Sequence, residues 1–540
     1  MRKILLIISI SVSLLTFNSN CARRSSPSGG PIDTIPPTLL AAKPAFGTTN
    51  FDKKTIVFQF DEYVKLKDIY SNLITSPPLI YNPVISPTGY ASKTIKMKLL
   101  DTLKENTTYI FNFGSSVLDN NEGNILEDFT YVFSTGDALD SLVLSGNVVD
   151  SHSNEELEQV KLMLYQIDST YTDSIVYKSK PSYVTNTFEP NAFNFTHLRE
   201  GTYKLIALND ENKNFLFDSK SEKIGFHKSY IQLPTDSVYT IYLFSEIQKF
   251  KLSKPKEESL GHIRFNYEGV IDTLLIELLT EVPEDFSSLV SKDRSGSFYD
   301  FWYSSVDLDS LNFKISADTL TKEYTVKLRS NKLDTLVILT PSISDIITDL
   351  DTLSIYSNLP ISTLDTDKIF ITDNDTLEVD FRASIGSNKM YFSLLFDRNE
   401  NQKFQIDLYP GALTTFNGYN NDTIQYHVST NELDFYATLD LNINNPLDKS
   451  LLIELYGQET DNLIRTTSVS NSGQVSFNFL PPASYKLRIV YDKNRNGIWD
   501  TGDYMKAIQP EKIFTYPKEF KLKSNWIMNE SLDIEAIISD

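Results

Sequence analysis

Apolar and polar residues alternate along short segments of this chain, and each segment ends in a cluster of turn-forming residues. The segment KTIVFQFDEYV places Ile56, Phe58 and Phe60 on one face, and TTYIFNFG does the same with Tyr109, Phe111 and Phe113. YKLIAL and YKLRIVY repeat the habit. A period of two is the mark of a half-buried β-strand. Such segments recur every 8–15 residues, and long stretches with a period of 3.6 are nearly absent. Only residues 271–290, IDTLLIELLTEVPEDFSSLV, have partial helical character, broken at Pro283. The expected class is all-β, a tandem array of β-sandwiches in a multidomain chain.

Two internal repeats organise the array. FNFTHLREGTYKLIALNDENKNFLFD begins at Phe193 and FNFLPPASYKLRIVYDKNRNGIWD at Phe477. In both, a tyrosine (Tyr203, Tyr485) lies seven residues before an aspartate (Asp210, Asp492), and a second aspartate (Asp218, Asp500) follows eight residues later. A weaker pair ends at Thr135 and Thr430, each with a polar turn, an alternating strand, an Asn/Gly loop and a last strand closing on Ser-Thr. The order is therefore A, B, an unpaired unit, then A′, B′. The expected divisions are 37–137, 140–248, 249–345 (β-rich, of unassigned type), 346–430 and 432–540.

Ahead of them, MRKILLIISISVSLLTFNSNC has a basic start, a 14-residue apolar-rich stretch from Ile4 to Phe17, and the only cysteine of the chain, Cys21. The apolar stretch has the length of a signal peptide and is too short to span a membrane. We expect residues 1–20 to be a signal peptide, Cys21 to be acylated, and 21–36, rich in Ser, Pro and Gly, to be a lipid-anchored tether. The positions one and three before the cysteine hold Asn20 and Asn18, where the usual acylation signal has a small residue and leucine. With one cysteine no internal disulfide can form, so the domains rest on core burial. A net charge of −21 excludes a nucleic-acid partner, because phosphate backbones demand dense Lys and Arg.

Chemistry-bearing motifs are sparse. The five histidines (His152, His197, His227, His262, His427) show no metal-binding spacing, and neither a Gly-x-Ser-x-Gly elbow nor a phosphate loop is present. No catalytic residue or organic cofactor is expected. The two repeated loops are the exception. Asp210, Asn212, Asn214, Asp218 and Glu222, and again Asp492, Asn494, Asn496, Asp500 and Asp503, put oxygen ligands at the alternation a structural Ca2+ uses. The second reading is a polar hairpin turn whose Asn and Asp cap backbone amides. FDRNENQKF, around Asp397, looks like a third copy but lacks the second aspartate, and is read as a turn. SFYDFWYSS gathers Phe298, Tyr299, Phe301, Trp302 and Tyr303, either a stacking platform for sugars or a buried strand.

The first domain, with Pro36-Pro37, FQFDEYV at 58–64 and YVFSTGD at 131–137, resembles the bacterial Ig-like domain of S-layer proteins. The units at 140–248 and 432–540 are similar to prealbumin-like, carboxypeptidase-regulatory-like sandwiches. Together with the cysteine and PSGGPIDTIPP, the chain resembles Bacteroidota envelope lipoproteins. The resemblance implies an outer-membrane, lipid-anchored protein on the periplasmic or the surface face. The expected function is a non-enzymatic scaffold that projects as a rod and docks other envelope proteins, as an accessory subunit of an assembly or export complex. The alternative is a glycan-binding surface lipoprotein.

Overall fold

A computed structural model describes residues 33–539, apart from short breaks at 154–156, 158, 189–190, 272, 295, 305–306, 318–319, 331, 333–336, 338, 342–345 and 349–350. Cys21, the expected signal peptide and most of the expected tether lie outside the described residues. The protein is all-β: among the described residues the helices are the short Ile69–Asn72 and Ile534–Ser539 and three short 3-10 turns. The described residues of 271–290 contribute strands, Leu275–Leu278 and Ser288–Lys292, and no helix. Both pair with neighbouring strands, so the sheets satisfy backbone groups that a helix would have satisfied internally. No helix of the described residues is long and apolar enough to cross a membrane.

In the first domain a six-stranded sheet faces a three-stranded one, Ile74–Ser76, Thr108–Asn112 and Thr130–Ser134. The alternation has its expected result: Ile56, Phe58 and Phe60 point inward from Thr55–Leu66, opposite Tyr109, Phe111 and Phe113. Phe58 meets Phe113, Phe129 and Tyr131 edge-on, with centroids 5.2–5.5 Å apart, the geometry aromatic quadrupoles favour.

The second domain is one eight-stranded sheet that includes a parallel pair, Leu142–Asp150 with Val238–Leu243. Gly146 permits that pairing, since a Cβ there would stand 2.0 Å from the Tyr239 carbonyl oxygen. The fifth domain repeats the arrangement, with Ala437–Asn444 parallel to Ile527–Asp533 and antiparallel to Gly473–Leu480. The third is a five-stranded sheet on a three-stranded one. The fourth packs sheets of four, three and two strands around one core.

The domains touch in series and then close. Asp140 accepts from Thr108 Oγ1 of the first domain (2.9 Å) and pairs with Arg199 of the second (3.1 Å). Lys220 pairs with Glu268 of the third at 3.3 Å. Arg294 of the third lies over the Tyr356 ring of the fourth, and Glu400 of the fourth accepts from the Leu433 amide of the fifth. The fifth then returns to the second. Thr501 Oγ1 donates to the Ser245 carbonyl at 2.6 Å, the Tyr504 amide to Glu246 Oε1 at 2.8 Å, and Gln509 Nε2 to the Phe226 carbonyl at 2.8 Å. Tyr504 belongs to a buried cluster with Met163, Tyr165, Ile206, Leu208, Phe226 and Phe244 of the second domain. The expected rod is thus replaced by a ring of the second to fifth domains. The reason is apolar: the second domain's sheet is hydrophobic on both faces, and Tyr504 helps cover the outer one.

Candidate functional site: the duplicated loops and the aromatic strand

Each loop leaves a strand whose inner face is core, Gly201–Leu208 or Ser484–Tyr491. Up to the second aspartate the two share a backbone whose features are displaced by 282 residues. Tyr203 donates its hydroxyl to the Arg199 carbonyl and Tyr485 to that of Pro481, and φ is positive at His197 and Phe479, at Lys213 and Arg495, and at Phe215 and Gly497. The left-handed region costs a residue with a Cβ about 1–2 kcal/mol, which Gly497 avoids and Phe215 does not.

The carboxylates account for the shape. Asp210 Oδ1 and Oδ2 accept from the amides of Asn214 and Phe215, each at 3.0 Å. Asp492 does the same for Asn496 and Gly497, at 3.1 and 3.0 Å. Across the second domain's loop, buried Glu222 accepts from the Asn212 amide (3.1 Å) and side chain (3.0 Å) with one oxygen and from the Asp218 amide (2.9 Å) with the other. Asn214 Oδ1 accepts from Leu216 N and Asp218 Oδ1 from Lys220 N. Thus the five residues share one loop in two sets of bonds, Asp210 with Asn214 and Glu222 with Asn212 and Asp218.

In the fifth domain Asp492, Asn494, Asn496 and Asp500 also come together, Asp500 Oδ2 accepting from both asparagine side chains. Asp503 does not join them. It caps the Lys506 amide and pairs with the Lys506 ammonium, both at 2.9 Å. The position of Glu222 is taken by Glu511, whose oxygens accept from Lys493 N at 2.6 Å and Asp500 N at 3.1 Å. Burial pushes the Glu511 carboxyl up, against the pull of these two amides, with Asp500 and Asp492 adding to the rise. Sequence spacing missed it because Glu222 follows Asp210 by 12 residues whereas Glu511 follows Asp492 by 19. The extra residues are the excursion that carries Tyr504 to the second domain.

This donor set is that of a capped turn: the oxygens of Asp210, Asp492, Glu222 and Glu511 each accept at least one N–H. Among the described residues no three of His, Cys, Asp and Glu group so as to hold a metal ion. The loop at Asp397 is a turn between strands of two different sheets, Tyr391–Phe396 and Lys403–Leu408, with Gln402 Oε1 accepting from Asn399 N. Its Thr430 Oγ1 accepts from Gln402 N and donates to the Asn399 carbonyl, as Thr135 does with Thr107 and Lys104 in the first domain.

The aromatic strand Phe298–Tyr303 is buried on both faces. Tyr299, Phe301 and Tyr303 enter the third domain's core. Trp302, 2% exposed, faces the other way, stacked on His262 at 3.9 Å with Nε1 donating to Ser291 Oγ. A sugar cannot reach that ring, so the platform reading is corrected to a core strand. Beside it, buried Asp300 takes a fork of two bonds from Arg264, at 2.8 and 3.1 Å, while His262 Nε2 stands 2.8 Å away, off-line for a hydrogen bond. Burial alone would raise the Asp300 carboxyl, but His262 and Arg264 hold it below its ordinary value.

Comparison with known proteins agrees with the first-domain resemblance. Residues 33–135 match the family described as Bacterial Ig-like domain. No curated protein matches the chain. Solved structures similar to it include the Bacillus anthracis TIE protein (10% identity, 94% of this chain and 76% of that one, TM-score 0.15). Others are domains 1–6 of surface layer protein SbsC (12%, 69% and 64%, 0.16) and the BSP domain of a biofilm-associated protein (11%, 87% and 97%, 0.15). TM-scores this low carry no argument about domain arrangement or function.

Proposed function

We propose that this chain is a non-enzymatic, lipid-anchored scaffold of the outer membrane that docks other envelope proteins, as an accessory subunit of a larger assembly. The observation that carries the reading is the closure of the second to fifth domains through Tyr504, which turns a string of sandwiches into one pre-organised body. A partner that docks across two domains then loses little freedom of the scaffold on binding. The bacterial Ig-like match and the duplicated loops, whose carboxylates cap turns, fit a structural role. Acylation at Cys21 would supply the anchor, each buried methylene contributing about 0.8 kcal/mol.

Affinity purification of the full chain from native envelopes in mild detergent tests the role: stoichiometric co-purifying envelope proteins are expected, and a solitary monomer overturns it. Labelling with a fatty-acid probe, lost in Cys21→Ser, tests the anchor.

A further inference from the structure

The first and second domains enclose a cleft that the scaffold role leaves unused. It consists of two adjoining cavities of about 640 and 780 Å³ that share Asn72, Ile74 and Gln159. Of the 19 described residues lining the smaller one, 11 are Asn, Gln, Ser or Thr, and the charged ones among them are Glu127 and Asp128, both exposed. The larger cavity adds Lys161, Asp210, Glu211 and Lys213, so the neutral amides and hydroxyls are concentrated in the smaller one. An aromatic ring stands free in each cavity's wall: Phe188, 55% exposed, in the smaller, and Tyr70, 51% exposed, in the larger.

We propose that this cleft binds a neutral oligosaccharide. Sugar hydroxyls both donate and accept, and amide and hydroxyl side chains do the same. The apolar faces of sugar rings fit flat aromatic surfaces, which Phe188 and Tyr70 offer in the two adjoining cavities. Asn72, common to both cavities, has no side-chain hydrogen bond among the described residues, so its donors and acceptor face the cleft unspent.

Anionic ligands are disfavoured in the smaller cavity, whose described lining has two carboxylates and no basic side chain. The site is distinct from the aromatic strand of the third domain, whose Trp302 is buried.

The test uses the purified full chain and a panel of short neutral oligomers of glucose, mannose and N-acetylglucosamine, with polygalacturonate fragments as the charged comparison. At least one neutral oligomer should bind, insensitive to sodium chloride, and Phe188→Ala and Asn72→Ala should each weaken it about tenfold with the melting temperature unchanged. Binding that survives both substitutions, binding of only the charged fragments, or no binding to any neutral oligomer overturns the proposal. Because the readout is an isolated ligand, it is independent of whether envelope proteins co-purify.

Discussion

Tyr504 of the fifth domain stands edge-on to Phe226 of the second, ring centroids 5.4 Å apart at 81°. One tyrosine thus joins domains that are far apart in sequence, and the amide of the same residue is held by Glu246.

Tyr504→Ala should open the ring. Removing a large buried aromatic side chain costs about 3–5 kcal/mol, and here the loss falls on an interface. Small-angle scattering should show a larger radius of gyration, with the first domain's own unfolding transition unmoved. An unchanged scattering profile would show that the polar contacts of Thr501 and Gln509 suffice.

Acidity should tighten the same contact. Burial lifts the Glu246 carboxyl above its ordinary value, and Asp503 adds to the rise, while the Tyr504 amide opposes it. A carboxyl raised in the closed form takes up a proton on closure, so stability rises as pH falls through the raised pKa and is lost above it. Glu246→Gln should make the closed form more stable at neutral pH and flatten its dependence between the unfolded and folded pKa values, as read by urea unfolding across pH.

The two loops should respond alike to loss of their caps. Asp492→Ala and Asp210→Ala each leave two amides without their acceptor, at about 1–3 kcal/mol per buried unsatisfied group. The fall in melting temperature should be the same with calcium and with chelator. A loss that is larger in calcium would show that the loop also holds an ion.

Gly497→Ala should cost about 1–2 kcal/mol, because φ is +80° there and a Cβ meets no neighbouring atom, leaving backbone strain as the only penalty. Denaturant midpoints of the full chain measure it.

Asp300 makes the opposite pH prediction to Glu246. Its folded pKa is depressed, so the stability it contributes is present above the unfolded carboxylate pKa and is lost as pH falls through the folded one. Asp300→Asn should shift the acid unfolding of the third domain and be destabilising at neutral pH, where Arg264 loses its fork.

What could be read from sequence follows from which interactions are local. Ile56, Phe58 and Phe60 announce their sheet face because strand periodicity is set by the backbone alone. The equivalence of Asp210 with Asp492 was legible because both cap amides four and five residues on. Glu511 was not, since its partnership with Lys493 spans an excursion whose length differs between the copies. Ring closure left one trace that alternation arguments pass over. In YKLIAL, Lys204, Ile206 and Leu208 are buried as well as Tyr203, Leu205 and Ala207, so the segment is apolar on the face a lone sandwich would expose to water. Trp302 misled for a related reason: a run of aromatics reads the same whether its second face meets water or, as here, His262 and Ser291.

Closure through Tyr504 also sets an order of events as the chain folds. Chains emerge from the N-terminus, and domains fold largely as they appear. The second domain can complete its inner core once Leu243 is out, but part of its outer face, around Phe226 and Phe244, waits for residues 501–509 to arrive. Until then a greasy surface is on display, and a chain truncated before Tyr504 keeps it for good. Nascent or clipped forms of this protein should therefore be the ones that chaperones retain and proteases find.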